Sequence, residues 1–226
     1  MVVDRGWKIC GKIMFFLKLY KLTQNEFLLL KRTKESIYAV FLFCLIIIVL
    51  FSVGFQLTQT HLYPNMNPLL WLTILFGGIL RMNRTHEAEN EGRVFYNLRL
   101  IKGIAIPYFL SKWFMNLIFM IVLAGFSFLL LVVFFNIPDP YQMLGFLWLP
   151  YLLGIIGFSC VGTCFSTMFV SLGKKDLILP TISLPLTMPL IIGVLKSIEF
   201  SARGEFLGVS PTWIILLGVY DCIVLL

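Results

Sequence analysis

Long runs of Leu, Ile, Phe and Val, broken by short clusters of Lys, Arg and Glu, make up most of this chain. The first run, "IYAVFLFCLIIIVLFSVGFQL" (Ile37–Leu57), is 21 residues without a charge, and roughly 20 residues span a hydrocarbon core. Five further apolar runs fall at about 64–82, 107–135, 144–171, 177–196 and 211–226, the second and last being the shorter ones. The pattern predicts an all-α integral membrane protein with six transmembrane helices. Residues 37–226 form its transmembrane domain.

A different period governs the segment before the first run. Within Lys12–Arg32, Lys18, Lys21, Asn25 and Arg32 recur at helical spacing, while Phe15, Phe16, Leu19, Leu22, Phe27 and Leu30 occupy the rest. This predicts a helix lying in the headgroup layer before the chain turns into the bilayer. Residues 1–36 are therefore assigned to a cytoplasmic or interfacial N-terminal unit, with residues 1–13 an extension upstream of its amphipathic part. The first long apolar run begins after these residues and no small-residue cleavage site follows it, so it reads as a retained anchor.

One polar cluster stands out. "EAENEGRVFYNLRLIKG" (residues 87–103) places three glutamates, two arginines and a lysine between the second and third runs. If Gly92 loosens the chain, Val94, Phe95, Leu98 and Ile101 share one apolar face of a short helix. Arg93 and Asn97 then point away, and Tyr96 lies at the edge. Glu87, Glu89 and Glu91 precede or open that helix, where negative charge suits the macrodipole. Gly103 is placed to end it and Pro107 to start the third span. Such a helix suits a membrane surface or a partner's groove.

Composition agrees with a bilayer solvent: mean hydropathy is +0.94 and only 13% of residues are charged, against about 25% in soluble domains. The net charge of +7 resides in loops. Residues 1–36 hold eight Lys and Arg, residues 81–112 six and the 174–175 pair two, against Lys196 and Arg203 in the alternate loops. By the positive-inside rule both termini and the 87–103 island face the cytoplasm. No soluble fold is left to carry nucleic-acid binding, so the positive charge speaks for membrane lipids as partners.

Chemistry-bearing groups are few. Cys44, Cys160, Cys164 and Cys222 lie in apolar runs and read as small packing residues. "HEAEN" lacks the second histidine of a zinc-protease motif, so no metal site is predicted. "NRT" (Asn83–Thr85) faces the cytoplasm and is set aside as a glycosylation sequon. No G-x-x-x-x-G-K-S/T loop is present, so ATP hydrolysis is not expected on this chain. Lys112 and Lys196 sit near span ends, where long side chains can snorkel, and Asp221 lies near the cytoplasmic edge. No catalytic residue is identified. Ser159, Gly162, Thr163 and Ser166 recur at i, i+3, i+4 and i+7 in the fourth span, a small-residue stripe for close helix contact. Pro180, Pro185 and Pro189 in the fifth predict kinks that can act as hinges.

The order of these elements, an interfacial helix, six spans and a cytoplasmic helix between the second and third, is similar to the membrane subunits of ABC-type exporters. Within that group "LGKKDLILPTISLPLTMPLII" (Leu172–Ile192) resembles the CcmB family pattern of a basic pair, an aliphatic run and L-P-L-T-(I/M)-P-L. Lys174, Lys175, Pro185, Leu186, Thr187, Pro189 and Leu190 stand at the matching positions. "QNEFLLLKRTKESIYAVFLF" resembles the family's entry into the first span, with Glu26 at its R-E glutamate. "ENEGRVFYNLRL" is similar to its D-G-S-L-E-Q-L-M-L coupling segment, although the usual S-L-E-Q becomes "RVFY".

The resemblance, over roughly residues 14–226, implies an inner-membrane permease-like subunit of the cytochrome c maturation system. It implies a complex with a CcmA-like ABC ATPase, CcmC-like and CcmD-like membrane proteins and a CcmE-like haem chaperone. This subunit would be a dimer or part of a hetero-oligomer. ATP would bind the partner ATPase, and haem would be cargo of the complex rather than a cofactor of this chain. Glu91, Gly92, Arg93, Val94, Phe95, Leu98 and Arg99 would form the ATPase-coupling surface. Ser159, Gly162, Thr163, Pro185 and Pro189 would serve packing and hinging. The alternatives are a related exporter subunit for lipid, polysaccharide or drug, or an assembly scaffold without an ATPase.

Overall fold

A computed structural model describes residues 17–28, 34–58, 66–92, 104–135, 137, 140–169, 178–202 and 210–225. The described residues are helical almost throughout and contain no strand. Seven helices follow one another: α1 (residues 17–28), α2 (Lys34–Thr58), α3 (Met66–Gly92), α4 (Ala105–Phe135), α5 (Pro140–Phe169), α6 (Ile178–Ala202) and α7 (Ser210–Leu225).

The apolar runs dictate these helices, but the helices overrun them. Hydropathy ends the second span near residue 82, whereas α3 continues through ten more positions, eight of them polar, to Gly92. The fifth likewise extends from 196 to Ala202. A helix that leaves a bilayer keeps its internal hydrogen bonds, so polarity alone does not stop it. Positions 87–92 therefore form the end of α3. Residues 93–103, the rest of the expected coupling helix, lie outside the described residues, as do residues 1–16.

Helix α2 shows how the bundle sorts its side chains. Val40, Cys44, Ile48 and Ser52, four residues apart, are buried against the other helices, while Leu42, Leu50 and Val53 are more than half exposed. Helix α4 repeats this, with Met120, Leu123 and Leu131 inside and Val122, Leu129 and Val133 outside. In α7 the outer row is Ile215, Val219 and Ile223. Leaving such a side chain in water costs about 1.5–3 kcal/mol relative to burial. Three helices presenting continuous apolar rows outward are built for lipid.

Among the described residues three segments are both long and apolar enough to cross a membrane: Lys34–Phe55, Ala105–Phe135 and Trp148–Met168, with Thr212–Val224 apolar but shorter. Helix α3 differs for a physical reason. It packs on α2, α4, α5 and α6, so neighbours rather than lipid receive Thr73, Ile74, Arg81 and Met82.

The core forms where α3 meets α5 and α6. Trp71 is 1% exposed and its ring meets that of Tyr151 at 5.6 Å, edge to face. The Tyr151 hydroxyl donates to the Asn67 carbonyl at 3.1 Å. Gly78 permits the close approach, because a Cβ there would strike Met120 of α4 and Phe158 of α5.

Candidate functional site

The small-residue stripe of α5 is the place where the bundle becomes polar. Ser159 and Thr163 are buried, 0% and 2% exposed, and face α3 and α4. Ser159 Oγ donates to the Trp113 carbonyl of α4 at 3.5 Å, and Asn116 Nδ2 donates to Thr163 Oγ1 at 3.3 Å. The threonine hydroxyl in turn donates to the Ser159 carbonyl at 2.7 Å, and Ser166 Oγ to the Thr163 carbonyl at 3.0 Å. Gly162 lies under Met82 of α3, whose Sδ and Cε occupy the space a Cβ would need. Ser159 and the Asn116–Thr163 pair join α4 to α5 as polar glue, and Gly162 leaves a cleft for an α3 side chain.

Two cations are planted beside this stripe. Arg81 of α3 is 7% exposed, with its guanidinium carbon 4.8 Å from the centre of the Phe119 ring. Lys112 of α4 is 6% exposed, with Nζ 5.0 Å from the centre of the Tyr108 ring. Snorkelling toward the membrane edge, expected for Lys112 from its place in the sequence, does not describe it: the side chain is enclosed by the bundle. Lys196 behaves otherwise, half exposed and 2.8 Å from Glu199 one turn away. Arg81, Lys112, Asn116, Thr163 and Ser166 line one small cavity, and Glu26 of α1 reaches the same cavity. The sequence held no signal for this cluster, because its members come from four separate helices.

The hinge candidates lie on another face. Pro185 and Pro189 are both inside α6 and both exposed, one turn apart, while Thr187 and Leu190 between and after them are buried. A proline removes one backbone N–H from the helical ladder. In this stretch a side chain from a neighbour contributes a donor: the Tyr220 hydroxyl of α7 bonds the Leu186 carbonyl at 2.9 Å. Thr187 Oγ1 also donates to the Leu184 carbonyl at 3.1 Å. The structure thus separates the two groups of packing and hinge residues, Ser159, Gly162 and Thr163 facing α3 and α4, Pro185 and Pro189 facing outward.

Asp221 was read from sequence as lying near the cytoplasmic edge. Within the bundle it is buried, 6% exposed and wedged against Gly157 of α5, and neither carboxylate oxygen has a hydrogen-bond partner among the described residues. Cysteines serve as weak donors between helices, Cys44 Sγ to the Thr73 carbonyl at 3.9 Å and Cys160 Sγ to the Val224 carbonyl at 3.7 Å. Of the expected coupling surface, Glu91 and Gly92 end α3. Arg93, Val94, Phe95, Leu98 and Arg99 lie outside the described residues.

The geometry is that of a helical membrane body with a polar joint, and comparison with known proteins agrees. No curated protein and no solved structure matches the chain. The family model described as "CcmB protein" matches residues 17–226, from the first described residue of α1 to the end of the chain. The chain therefore belongs to the CcmB family, the membrane permease-type component of the ABC system for cytochrome c maturation and haem export.

Proposed function

We propose that this chain couples ATP hydrolysis on a separate ATPase to release of a haem-loaded chaperone or to haem export. All six helices from α2 to α7 span the inner membrane, with both termini in the cytoplasm. The charge split between loops supports that orientation. Enclosure of α3 by its neighbours accounts for its weaker apolarity.

The observation that carries the coupling role is the continuity of α3. It runs unbroken from the buried Trp71 to Gly92 at the edge of the polar segment, about 30 Å at 1.5 Å per residue. A push on residues 93–103 is then delivered by a rigid rod into the centre of the bundle. With no nucleotide-binding loop of its own, the chain needs an outside motor, a CcmA-like ATPase docking on Glu91, Gly92, Arg93, Val94, Phe95, Leu98 and Arg99. The "RVFY" variation makes that surface basic and aromatic where relatives are acidic. CcmC-like, CcmD-like and CcmE-like proteins complete the assembly, with this subunit as a dimer or in a hetero-oligomer. Haem is cargo of that assembly, and this chain binds no cofactor itself.

Replacing Phe95 and Leu98 by Asp puts two charges on the apolar face of the docking segment. The variant chain is expected in the membrane at wild-type level, and the ATPase is expected to be lost when the tagged chain is purified. Recovery of the ATPase at wild-type yield would contradict the docking role.

A further inference from the structure

The cavity lined by Glu26, Arg81, Lys112, Asn116, Thr163 and Ser166 joins α1, α3, α4 and α5 at one point. Its free space is about 30 Å³, room for a water or two. It is therefore a joint between elements and not a binding site for cargo. Its placement is specific. Arg81 lies 11 residues before Gly92, where α3 ends, and Lys112 lies seven residues after Ala105, where α4 begins. The two cations thus sit on the two helices that bracket the 93–103 segment.

Charge makes the third partner consequential. Two cations taken out of water in a low-dielectric bundle are costly unless an anion and hydrogen bonds compensate them. The aromatic faces of Phe119 and Tyr108 supply part of this. Among the residues lining the cavity, the acidic one is Glu26, and it comes from α1. The inward face of α1 is its half-buried row Lys18, Leu19, Leu22, Thr23 and Glu26, while Leu17, Tyr20, Phe27 and Leu28 point outward. The N-terminal helix therefore brings its carboxylate to the cations, and the outward residues are left to the headgroup layer.

We infer that Glu26 is a positioning residue for coupling: its carboxylate latches the N-terminal helix onto Arg81 and Lys112, and so holds α3 and α4 at one spacing. This rests on the coupling role proposed above. A motor that displaces residues 93–103 then moves α1 in the same event, because parting the helices strips the buried cations of their counter-charge. Two discrete arrangements, latched and unlatched, follow from that penalty, and the ATPase selects between them by binding one more tightly.

The test uses the full complex in membrane vesicles, with trypsin added from the cytoplasmic side and cleavage after Lys18 and Lys21 of α1 followed by mass spectrometry of the released peptides. Cleavage within α1 requires its local opening. Glu26→Gln is expected to speed that cleavage about tenfold, which at constant trypsin is a shift of one decade in the opening equilibrium. Glu26→Asp, which keeps the charge, is expected to stay within about threefold of wild type. Glu26→Gln combined with Lys112→Met is expected to recover most of the difference, because one orphaned cation is gone. In the same cells Glu26→Gln is expected to lower c-type cytochrome output with the ATPase still bound. Wild-type cleavage in Glu26→Gln, failure of Glu26→Asp to rescue, or strict additivity in the double variant would overturn the latch. Accelerated cleavage with undiminished cytochromes would overturn its part in coupling. Failure of the coupling role itself is read separately, from retention of the ATPase by the Phe95→Asp, Leu98→Asp variant.

Discussion

Single side chains in this protein matter chiefly where they are polar and enclosed. Asn116 donates to Thr163 across the α4–α5 contact, and interhelical hydrogen bonds in membranes are worth about 0.6–2 kcal/mol. Asn116→Leu is therefore expected to lower the thermal midpoint in detergent by a few degrees, at about 2–4 °C per kcal/mol for a chain of this size. Gly162 separates two outcomes. Its Cβ would meet only the flexible end of Met82, so Gly162→Ala is expected to be tolerated as Met82 swings aside. Gly162→Leu is expected to force α3 from α5 and cost about 1–3 kcal/mol, measured by the same melting experiment. Asp221 provides a third test. Its oxygens lack hydrogen-bond partners among the described residues, so Asp221→Asn removes a charge without breaking a bond and is expected to leave the fold at least as stable. A loss above about 2 kcal/mol would instead reveal a charged partner. Neither the Asn116 nor the Asp221 environment was legible in the sequence. Asn116 sat in an apolar run with nothing to name Thr163, and Lys112 and Asp221 read as edge residues because distance along the chain was the available measure of depth. Burial depends on which helix covers a residue, and pairings between helices leave no periodic trace.

At the scale of elements the sequence served better. The apolar runs located α2, α4, α5 and α7 to within about four residues, and α6 at its start, because a helix that faces lipid must be apolar over its full length. The spacing of Ser159, Gly162, Thr163 and Ser166 also read directly as a face, since a 3.6-residue period is a local property. Helix α3 was the exception. Its apolar run stops near residue 82 and the helix continues to Gly92, so the boundary seen in hydropathy was not the boundary of the helix. The prolines of α6 were legible as positions but not as a geometry. That both lie on the exposed face, opposite the buried Thr187 and Leu190, follows only from packing. Pro185→Ala with Pro189→Ala restores two backbone donors, and is expected to raise the thermal midpoint by several degrees while lowering c-type cytochrome output. Unchanged output would remove the hinge role from α6. Tyr220→Phe, which withdraws the donor to Leu186, is expected to destabilise by about 0.5–2 kcal/mol through the same contact.

For the whole molecule, three facts converge. Rows of exposed aliphatic side chains on α2, α4 and α7 require lipid, and the CcmB family match spans residues 17–226. Helix α3 runs unbroken from the buried centre into the polar stretch that ends at Gly92. The account built on them makes this chain the transmission of an ABC-type machine, in which residues 93–103 receive force and the α1–α3–α4 joint distributes it. Its central claim is that cytochrome c maturation needs this chain as a docked, force-receiving subunit. The most direct measurement is a haem stain of membrane proteins from cells in which the gene is deleted and then restored with either the wild-type chain or the Phe95→Asp, Leu98→Asp variant. The account predicts loss of covalent haem on deletion, full recovery with the wild-type chain and no recovery with the variant present at equal abundance. Undiminished c-type cytochromes in the deletion strain, or full recovery with the variant, would contradict it.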